Sequence, residues 1–372
     1  MPLVRLSISN LRNISDIDMV PGPNINLIVG PNGSGKTSIL ESIYLLGSQR
    51  SFRTNKLRTL IKNGCQRCTV HGQMQTGKRS PAVSMGVMRD MTGGQQIKIA
   101  GEKTASSASL AQLMPVQVVN PGVFKLIDGP SKARRQFIDW GVFHVEQPFL
   151  SSWRRLNRCL KQRNTTLRHD RIDALEIGAW DREFIACGEK ITRYRASYTD
   201  ELTPLFNQVL AQITRLSGIT LAFYPGWDTK ISLDQVLKRA LPRDKSLGYT
   251  QHGPHRADLK IHFYGKNAGI FLSRGEQKMV VAALKIAQGL HFNAATGRKC
   301  IYLIDDLGAE LDNAHKSAVV KLLAEIGSQV FITAVDEEAA KYNGLSAEIP
   351  LFHVEQGRLL ENPLNIKSLL EQ

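Results

Sequence analysis

Gly30-Pro31-Asn32-Gly33-Ser34-Gly35-Lys36-Thr37 is the stretch on which the reading of the fold turns. An alternating apolar run, Asn24-Ile25-Asn26-Leu27-Ile28-Val29, precedes it, and Ile39, Leu40, Ile43 and Leu46 follow at helical spacing. Strand, Gly-rich loop and helix in that order form the context of a P-loop. Gly33 and Gly35 let the backbone turn its N–H groups inward around an anion. Lys36 is expected against the β- and γ-phosphates, and the Thr37 hydroxyl on Mg²⁺. The helix that opens after Gly35 adds its unpaired N–H groups and positive dipole end. Gly30 to Thr37 are therefore the candidate ATP-binding residues, with Lys36 also a catalytic candidate.

The chain has 372 residues, enough for two or so domains with a sizeable core. No apolar run reaches membrane-spanning length, and the N-terminus lacks the apolar stretch of a signal peptide. The expectation is a soluble, cytoplasmic protein. Five cysteines in a chain of this length do not make a disulfide scaffold. The net charge of +15 favours a polyanionic partner. Without a lipid anchor or strong interfacial helix, nucleic acid comes before a membrane surface.

Residues 3–9 alternate, with Leu3, Arg5 and Ser7 against Val4, Leu6 and Ile8, and read as a first strand. After the P-loop helix, residues 50–62 hold Arg50, Arg53, Lys56, Arg58 and Lys62 and no acid. This is a candidate phosphate-contacting strip, although a solvated face has the same composition. Residues 65–102 read as antiparallel strands with turns near Thr76-Gly77 and Gly93-Gly94. Cys65 and Cys68 form a CxxC with His71 nearby. No second CxxC exists, so strand residues are the better reading than a zinc site. From Phe149, Trp153, Leu156 and Leu160 recur at helical spacing among Arg154, Arg155, Arg158, Lys161 and Arg163. A second helical run, from about Asp181 to Leu216, would measure about 54 Å if straight. Pro204 should bend or interrupt it. The pair predicts a helical hairpin inserted between two halves of a sheet domain. The chain's end reads as a short amphipathic tail.

Cys300-Ile301-Tyr302-Leu303-Ile304, followed by Asp305-Asp306, reads as a buried parallel strand ending in acid. Asp305 fits the carboxylate that holds Mg²⁺ through its water shell. Asp306 is placed to polarise or deprotonate the attacking water. Adjacent carboxylates at a strand end also cap helices, but the P-loop upstream favours the metal reading. Lys36 and Asp305 stand too far apart for a compact single-domain P-loop enzyme. Just ahead of that strand, Ser273-Arg274-Gly275-Glu276-Gln277 opens a helix. The Ser273 hydroxyl and the N–H groups near Gly275 suit an anion. This order matches the signature of the ATP-binding-cassette class. In that class two heads sandwich two nucleotides, and each signature meets the γ-phosphate held by the other head. Glu310-Leu311-Asp312 looks like the loop that crosses this interface.

Further stretches resemble the RecF family of bacterial recombination mediators. They are Leu11-Arg12-Asn13, Arg50-Ser51-Phe52-Arg53-Thr54, Gly129-Pro130 with Arg134-Arg135-Gln136-Phe137-Ile138-Asp139, Gln162-Arg163-Asn164, Gly253-Pro254-His255-Arg256 with Asp258-Leu259, and Tyr302 to Asp312. The resemblance runs in order over nearly the whole chain. It implies an ATPase head related to the chromosome-structuring ATPases, with a short helical lobe in place of a long coiled coil. ATP-dependent homodimerisation comes with it, as does slow Mg²⁺-dependent hydrolysis that serves as a switch rather than for turnover. It further implies binding to DNA near single-strand gaps and junctions, cooperation with RecR and RecO in loading RecA, and a role in the SOS response. Cassette ATPases usually carry Glu where Asp306 stands. Thr333 and Asp336 occupy the region where transporter heads place a switch His, and Gln117 is a candidate Mg²⁺-sensing glutamine.

The expected fold is α/β: an ABC-type P-loop ATPase head, residues 1–125 and 245–372, with a mainly helical insert lobe at 126–244. Arg50, Arg53, Arg154, Arg155 and Arg158 are the candidate DNA phosphate contacts. A competing reading, the ATPase motor subunit of a membrane transporter, accounts for the P-loop, signature and acids. It leaves the basic excess and the helical insert without a role.

Overall fold

The computed structural model describes residues 1–77, 80–104, 106–120, 125–169, 174–305, 313–335 and 349–360. The chain divides into two units. The first comprises Met1–Val123, Val209–Arg215 and Lys278–Gln372; the second comprises Phe124–Gln208 and Leu216–Gln277.

In the first unit, β1 (Leu3–Leu11), β2 (Ile14–Met19), β4 (Arg67–Met74), β5 (Val83–Asp90), β6 (Gln95–Ile99) and β7 (Glu102–Thr104) form an antiparallel sheet, ordered β2-β1-β4-β5-β6-β7. The buried residues of β1 are Leu3, Leu6, Ile8 and Leu11. Strict alternation would set Leu3 and Leu6 on opposite faces. A register shift between Leu3 and Arg5 returns both to the core, so the expected two-face pattern holds only from Arg5 to Ser9, and Leu11 is buried out of phase with Leu6 and Ile8. Cys68 lies buried in β4 and Cys65 just before it, both as free thiols. Among the described residues no group of three or more His, Cys, Asp or Glu is placed to hold a metal ion, and of the CxxC only Cys68 lies in a strand.

A second sheet runs β15-β14-β3-β13-β12-β8. Its members are β3 (Ile25–Val29), β8 (Val116–Val119), β12 (Ile301–Ile304), β13 (Gln329–Ala334), β14 (Leu351–Glu355) and β15 (Arg358–Leu359). All pairings are parallel except the β14–β15 hairpin. Every residue of β3, β12 and β13 is buried, as parallel strands covered on both faces require. Beyond β13 the structure adds a strand the sequence reading lacked, β14, whose Leu351 and Val354 are buried and which zips onto β3; the chain's end after residue 360, read as an amphipathic tail, lies outside the described residues.

Helix α1 (Lys36–Ser48) touches β1, β4 and β5 of the first sheet and β8, β12 and β13 of the second. It therefore buries Ile39, Leu40, Ile43, Leu45 and Leu46, more than one stripe of its surface. Each such side chain contributes about 1.5–3 kcal/mol of burial. The P-loop is thus anchored to a helix clamped from two sides. The remaining helices of this unit are α2 (Ser107–Leu113), most of α8 (Arg274–Thr296) and α9 (Asn313–Ile326).

The second unit holds α3 (Ser131–Val145), α4 (Phe149–Thr166), most of α5 (Ala174–Ile213), α6 (Leu233–Leu247) and α7 (Ala268–Phe271). Its sheet, ordered β11-β10-β9, is built from β9 (Ile219–Tyr224), β10 (Asp258–Phe263) and β11 (Lys266–Asn267). The helical hairpin expected from Phe149 onward is present as α4 and α5. The latter runs unbroken through Pro204. Residues 245–277, placed in the head on sequence pattern, fall in this second unit, because β10 pairs antiparallel with β9 rather than with a head strand. Among the described residues no helix is long and apolar enough to cross a membrane.

Candidate nucleotide site

The turn between β3 and α1 carries three glycines at positive φ: Gly30 at 152°, Gly33 at 79° and Gly35 at 123°. Side-chain-bearing residues rarely take such angles, which explains the glycine spacing. A Cβ on Gly30 would lie 2.1 Å from the Val354 carbonyl oxygen, so the loop rests directly on β14. The Gly357 N–H donates to the Ser34 carbonyl at 2.7 Å. Asn13 Nδ2 donates to the Gly33 carbonyl at 3.0 Å, and Ser38 Oγ donates to Asn13 Oδ1 at 3.0 Å. Two loop carbonyls are thereby held against the protein. The sequence reading quoted Asn13 only within the Leu11-Arg12-Asn13 stretch and gave neither it nor the β14–β15 hairpin a role at the loop, since both reach it from distant chain positions.

Lys36 is almost fully buried; its Nζ donates to the carbonyls of Gly30 at 2.5 Å and Pro31 at 2.9 Å. Asp305 follows β12 directly. Its Oδ1 accepts from Thr37 Oγ1 at 2.9 Å and from Thr333 Oγ1 at 3.0 Å. Parallel pairing of β12 with β13, and of β13 with β3, brings these three residues to one end of the sheet. Hydroxyl and carboxylate oxygens are the hard donors Mg²⁺ prefers, so the set fits that ion. A cleft of about 590 Å³ opens here, lined by the P-loop, Asp305 and Thr333, and by Arg12 and Arg53. That volume is in the range of small-ligand sites. Asp306, Asp336 and Glu310-Leu311-Asp312 lie outside the described residues.

Gln117 sits elsewhere. It is buried in β8, where its Nε2 donates to Gln288 Oε1 at 2.7 Å and its Oε1 accepts from Lys285 Nζ at 3.0 Å. Burial lowers Lys285 to about 8. Gln117 does not line the cleft, so the structure gives it a place in a buried polar cluster.

Glu41 of α1, with no solvent exposure, is the residue the sequence reading overlooked. It accepts from Arg12 Nε at 2.8 Å and Arg12 Nη2 at 2.9 Å, and from the Ser51 hydroxyl. Arg53 Nη1 stands 3.7 Å away. Two basic residues that border the cleft are thus oriented by one carboxylate behind it. The Leu11-Arg12-Asn13 and Arg50-to-Thr54 stretches carried the signal, without its partner.

In the second unit, Ser273 begins a capping box at the start of α8. Its N–H and Oγ both donate to Glu276 Oε2, at 2.8 and 2.7 Å, while the Glu276 N–H donates to Ser273 Oγ at 3.3 Å. Gly275 has open space where a Cβ would stand. An incoming anion at Ser273 has to take the place of the Glu276 carboxylate. Arg154 and Arg158 are exposed on α4, as Arg50 and Arg53 are in the first unit. Arg155 pairs with Glu183 at 2.6 Å. Arg163, from the same basic run, is no surface charge at all: fully buried, it pairs with Asp181 at 2.6 Å and Asp244 at 2.8 Å.

The family model described as the RecF/RecN/SMC N-terminal domain matches residues 2–358. The chain is 49% identical over 363 residues to the DNA replication and repair protein RecF of Azotobacter vinelandii, covering 97% of this chain and 99% of that one. The protein of the same name from Pseudomonas fluorescens is 47% identical, covering 97% and 98%. Among solved structures, the recombination mediator protein RecF-ATP in the RecFOR pathway superposes with a TM-score of 0.85 at 24% identity, covering 96% of each chain. The Smc head domain with an extended coiled coil from Pyrococcus furiosus gives 0.60 at 14% identity, covering 99% of this chain and 98% of that one. At those identities the structural matches carry the fold, a RecF- and Smc-head-like α/β ATPase fold. Relatives named for replication and repair leave the transporter-motor reading without support. With the P-loop cleft and two head sheets in place, and with this identity over almost its full length, the chain belongs to the RecF family of DNA replication and repair proteins.

Proposed function

We propose that the protein is an ATP-switched DNA-binding protein of recombinational repair and replication, working in the cytoplasm with RecR and RecO to load RecA near single-strand gaps, and aiding SOS induction. The observation that carries this reading is the convergence of Thr37 and Thr333 on one oxygen of Asp305, beside Lys36 in a glycine-built cradle. ATP would lie in the 590 Å³ cleft with its phosphates along Gly30 to Thr37. Lys36 leaves its loop carbonyls for the β- and γ-phosphate oxygens. Thr37 and Asp305 would hold Mg²⁺, which would neutralise phosphate charge when bound. Asp306 takes the proton of the attacking water.

Two copies close over two nucleotides, each presenting Ser273 and Gly275 to the other's γ-phosphate. On this reading hydrolysis serves as a timer on the dimer rather than as a source of rapid turnover. Arg50, Arg53, Arg154, Arg155 and Arg158 supply phosphate contacts for DNA, a sequence-independent and salt-sensitive mode of binding.

The test is light-scattering mass with and without ATP and Mg²⁺, paired with binding to gapped, single-stranded and duplex DNA across a salt series. The parent doubles in mass on ATP addition, and Lys36→Ala keeps the fold but stays single. A Lys36→Ala protein that dimerises like the parent would refute the reading.

A further inference from the structure

Strand β13 carries two buried polar side chains, Gln329 at its start and Thr333 near its end, in an otherwise apolar run. Buried polar groups need partners, and Gln329 finds them on the backbone. Its Oε1 accepts from the Leu3 N–H at 2.8 Å, and its Nε2 donates to the carbonyls of Leu3 and Gly22 at 2.9 and 2.7 Å. That is a structural use, tying the end of β13 to the first strand. Thr333 is 1% exposed and bonds differently. It lines the nucleotide cleft, and its Oγ1 donates to Asp305 Oδ1 at 3.0 Å.

The topology explains this contact. β13 lies between the P-loop strand β3 and the acid-ended strand β12, parallel to both. Ile332 pairs with Ile304, so the next residues, Thr333 and Asp305, stand side by side where the ladder ends. On its other flank the Asp305 N–H donates to the Val119 carbonyl at 2.9 Å. The main chain of Asp305 is thus fixed from β8 and its carboxylate from β13.

Thr37 donates to the same oxygen at 2.9 Å, but it has two tasks. Its hydroxyl has one proton, which serves Asp305, while its oxygen is needed by Mg²⁺ in the reading above. Thr333 stands on a buried strand outside the glycine loop, so its donor is in place before an ion arrives. A hydrogen bond to a charged group is roughly twice as strong as one between neutral groups. We propose that Thr333 is a positioning residue for Mg²⁺, holding the Asp305 carboxylate in the orientation that receives the ion's water shell. The proposal deepens the reading of Asp305 as the Mg²⁺ carboxylate and rests on it. It also assigns the end of β13 to the metal acid, where transporter heads place a His for the γ-phosphate.

The experiment measures equilibrium binding of a fluorescent ATP analogue to the full chain while Mg²⁺ is titrated, and again with EDTA in its place. Thr333→Val keeps the β-branched shape and removes the hydroxyl. It is expected to raise the Mg²⁺ concentration at half-maximal binding about tenfold, the lower end for one hydrogen bond to a charged group. In EDTA it binds the analogue as the parent does, because Lys36 and the loop N–H groups are untouched. Thr333→Ser, which keeps the donor, returns the Mg²⁺ midpoint to the parent value. Thr333→Ala removes the same hydroxyl with less bulk and repeats the shift, so the result does not hang on how Val packs. Thermal melting confirms that each variant is folded at the assay temperature. An unchanged midpoint in folded Thr333→Val and Thr333→Ala overturns the proposal. So does an affinity loss equal with and without Mg²⁺, which marks a structural role, or a Ser variant as impaired as Val. Asp305→Asn is titrated beside them. If it shifts the midpoint and Thr333→Val does not, this proposal alone falls. If Asp305→Asn binds as the parent does at every Mg²⁺ concentration, the reading of Asp305 falls as well.

Discussion

Glu41 draws three partners from two separate places in the chain: Arg12 after β1, and Ser51 and Arg53 after α1. A carboxylate with no exposure is stable only while such donors surround it. Glu41→Ala leaves Arg12, itself only 21% exposed, without its carboxylate. The expected loss is about 2–3 kcal/mol in urea unfolding, with weaker ATP binding because both arginines lose their orientation. A variant with parent stability and parent ATP affinity would remove that role. At Gly30 the argument is steric. Gly30→Ala places a methyl 2.1 Å from a backbone oxygen at φ 152°, so nucleotide binding should be lost even where the sheet survives. Equilibrium binding of a fluorescent ATP analogue reads this directly.

The turn Gly253 to Asp258 shows the same logic in an element. Arg195 Nη1 donates to the Pro254 carbonyl at 2.6 Å, Arg135 Nη1 to that of Ala257 at 2.7 Å, and Arg134 grips Asp258. His255 Nε2 donates to the Thr250 carbonyl at 2.9 Å, leaving Nδ1 unprotonated and buried. Burial lowers this imidazole from the usual 6.5 to about 4. The folded state thus binds the proton more weakly than the unfolded state. The stabilisation is complete above about pH 6.5 and is lost as pH falls towards 4, by about 3 kcal/mol in all. The urea midpoint should drop across that window, and His255→Gln should flatten the drop. A parent curve flat between pH 6.5 and 4 contradicts the assignment. Of this turn, the sequence showed only the Gly253-Pro254-His255-Arg256 stretch that resembles the family. The arginines that cage it come from α3 and α5, and such long-range pairings leave no local periodicity to read. The burial of Arg163 was illegible for the same reason. Its neighbours in sequence are surface bases, and its acids, Asp181 and Asp244, sit on α5 and α6.

For the whole molecule, the P-loop, the buried acid-ended strand and the antiparallel run at 65–102 were legible because each follows a local period. The order of the strands was not, nor the point where the chain returns to the head, since both depend on pairing across long intervals. The net charge of +15 predicts a steep salt dependence, with DNA affinity falling by orders of magnitude between low and moderate salt. Asp306→Asn should hold ATP without hydrolysing it and trap the paired state. Hydrolysis at the parent rate would rule that role out.

The brace beneath the phosphate loop, from Val354 and Gly357, belongs to a strand made long after the loop itself. A chain emerging from the ribosome has its glycines, lysine and threonine early, together with the Asn13 brace, but lacks the Val354 and Gly357 support until residue 357 is out. The loop's full set of braces is therefore in place only after residue 357 has been made, more than three hundred residues after the loop itself.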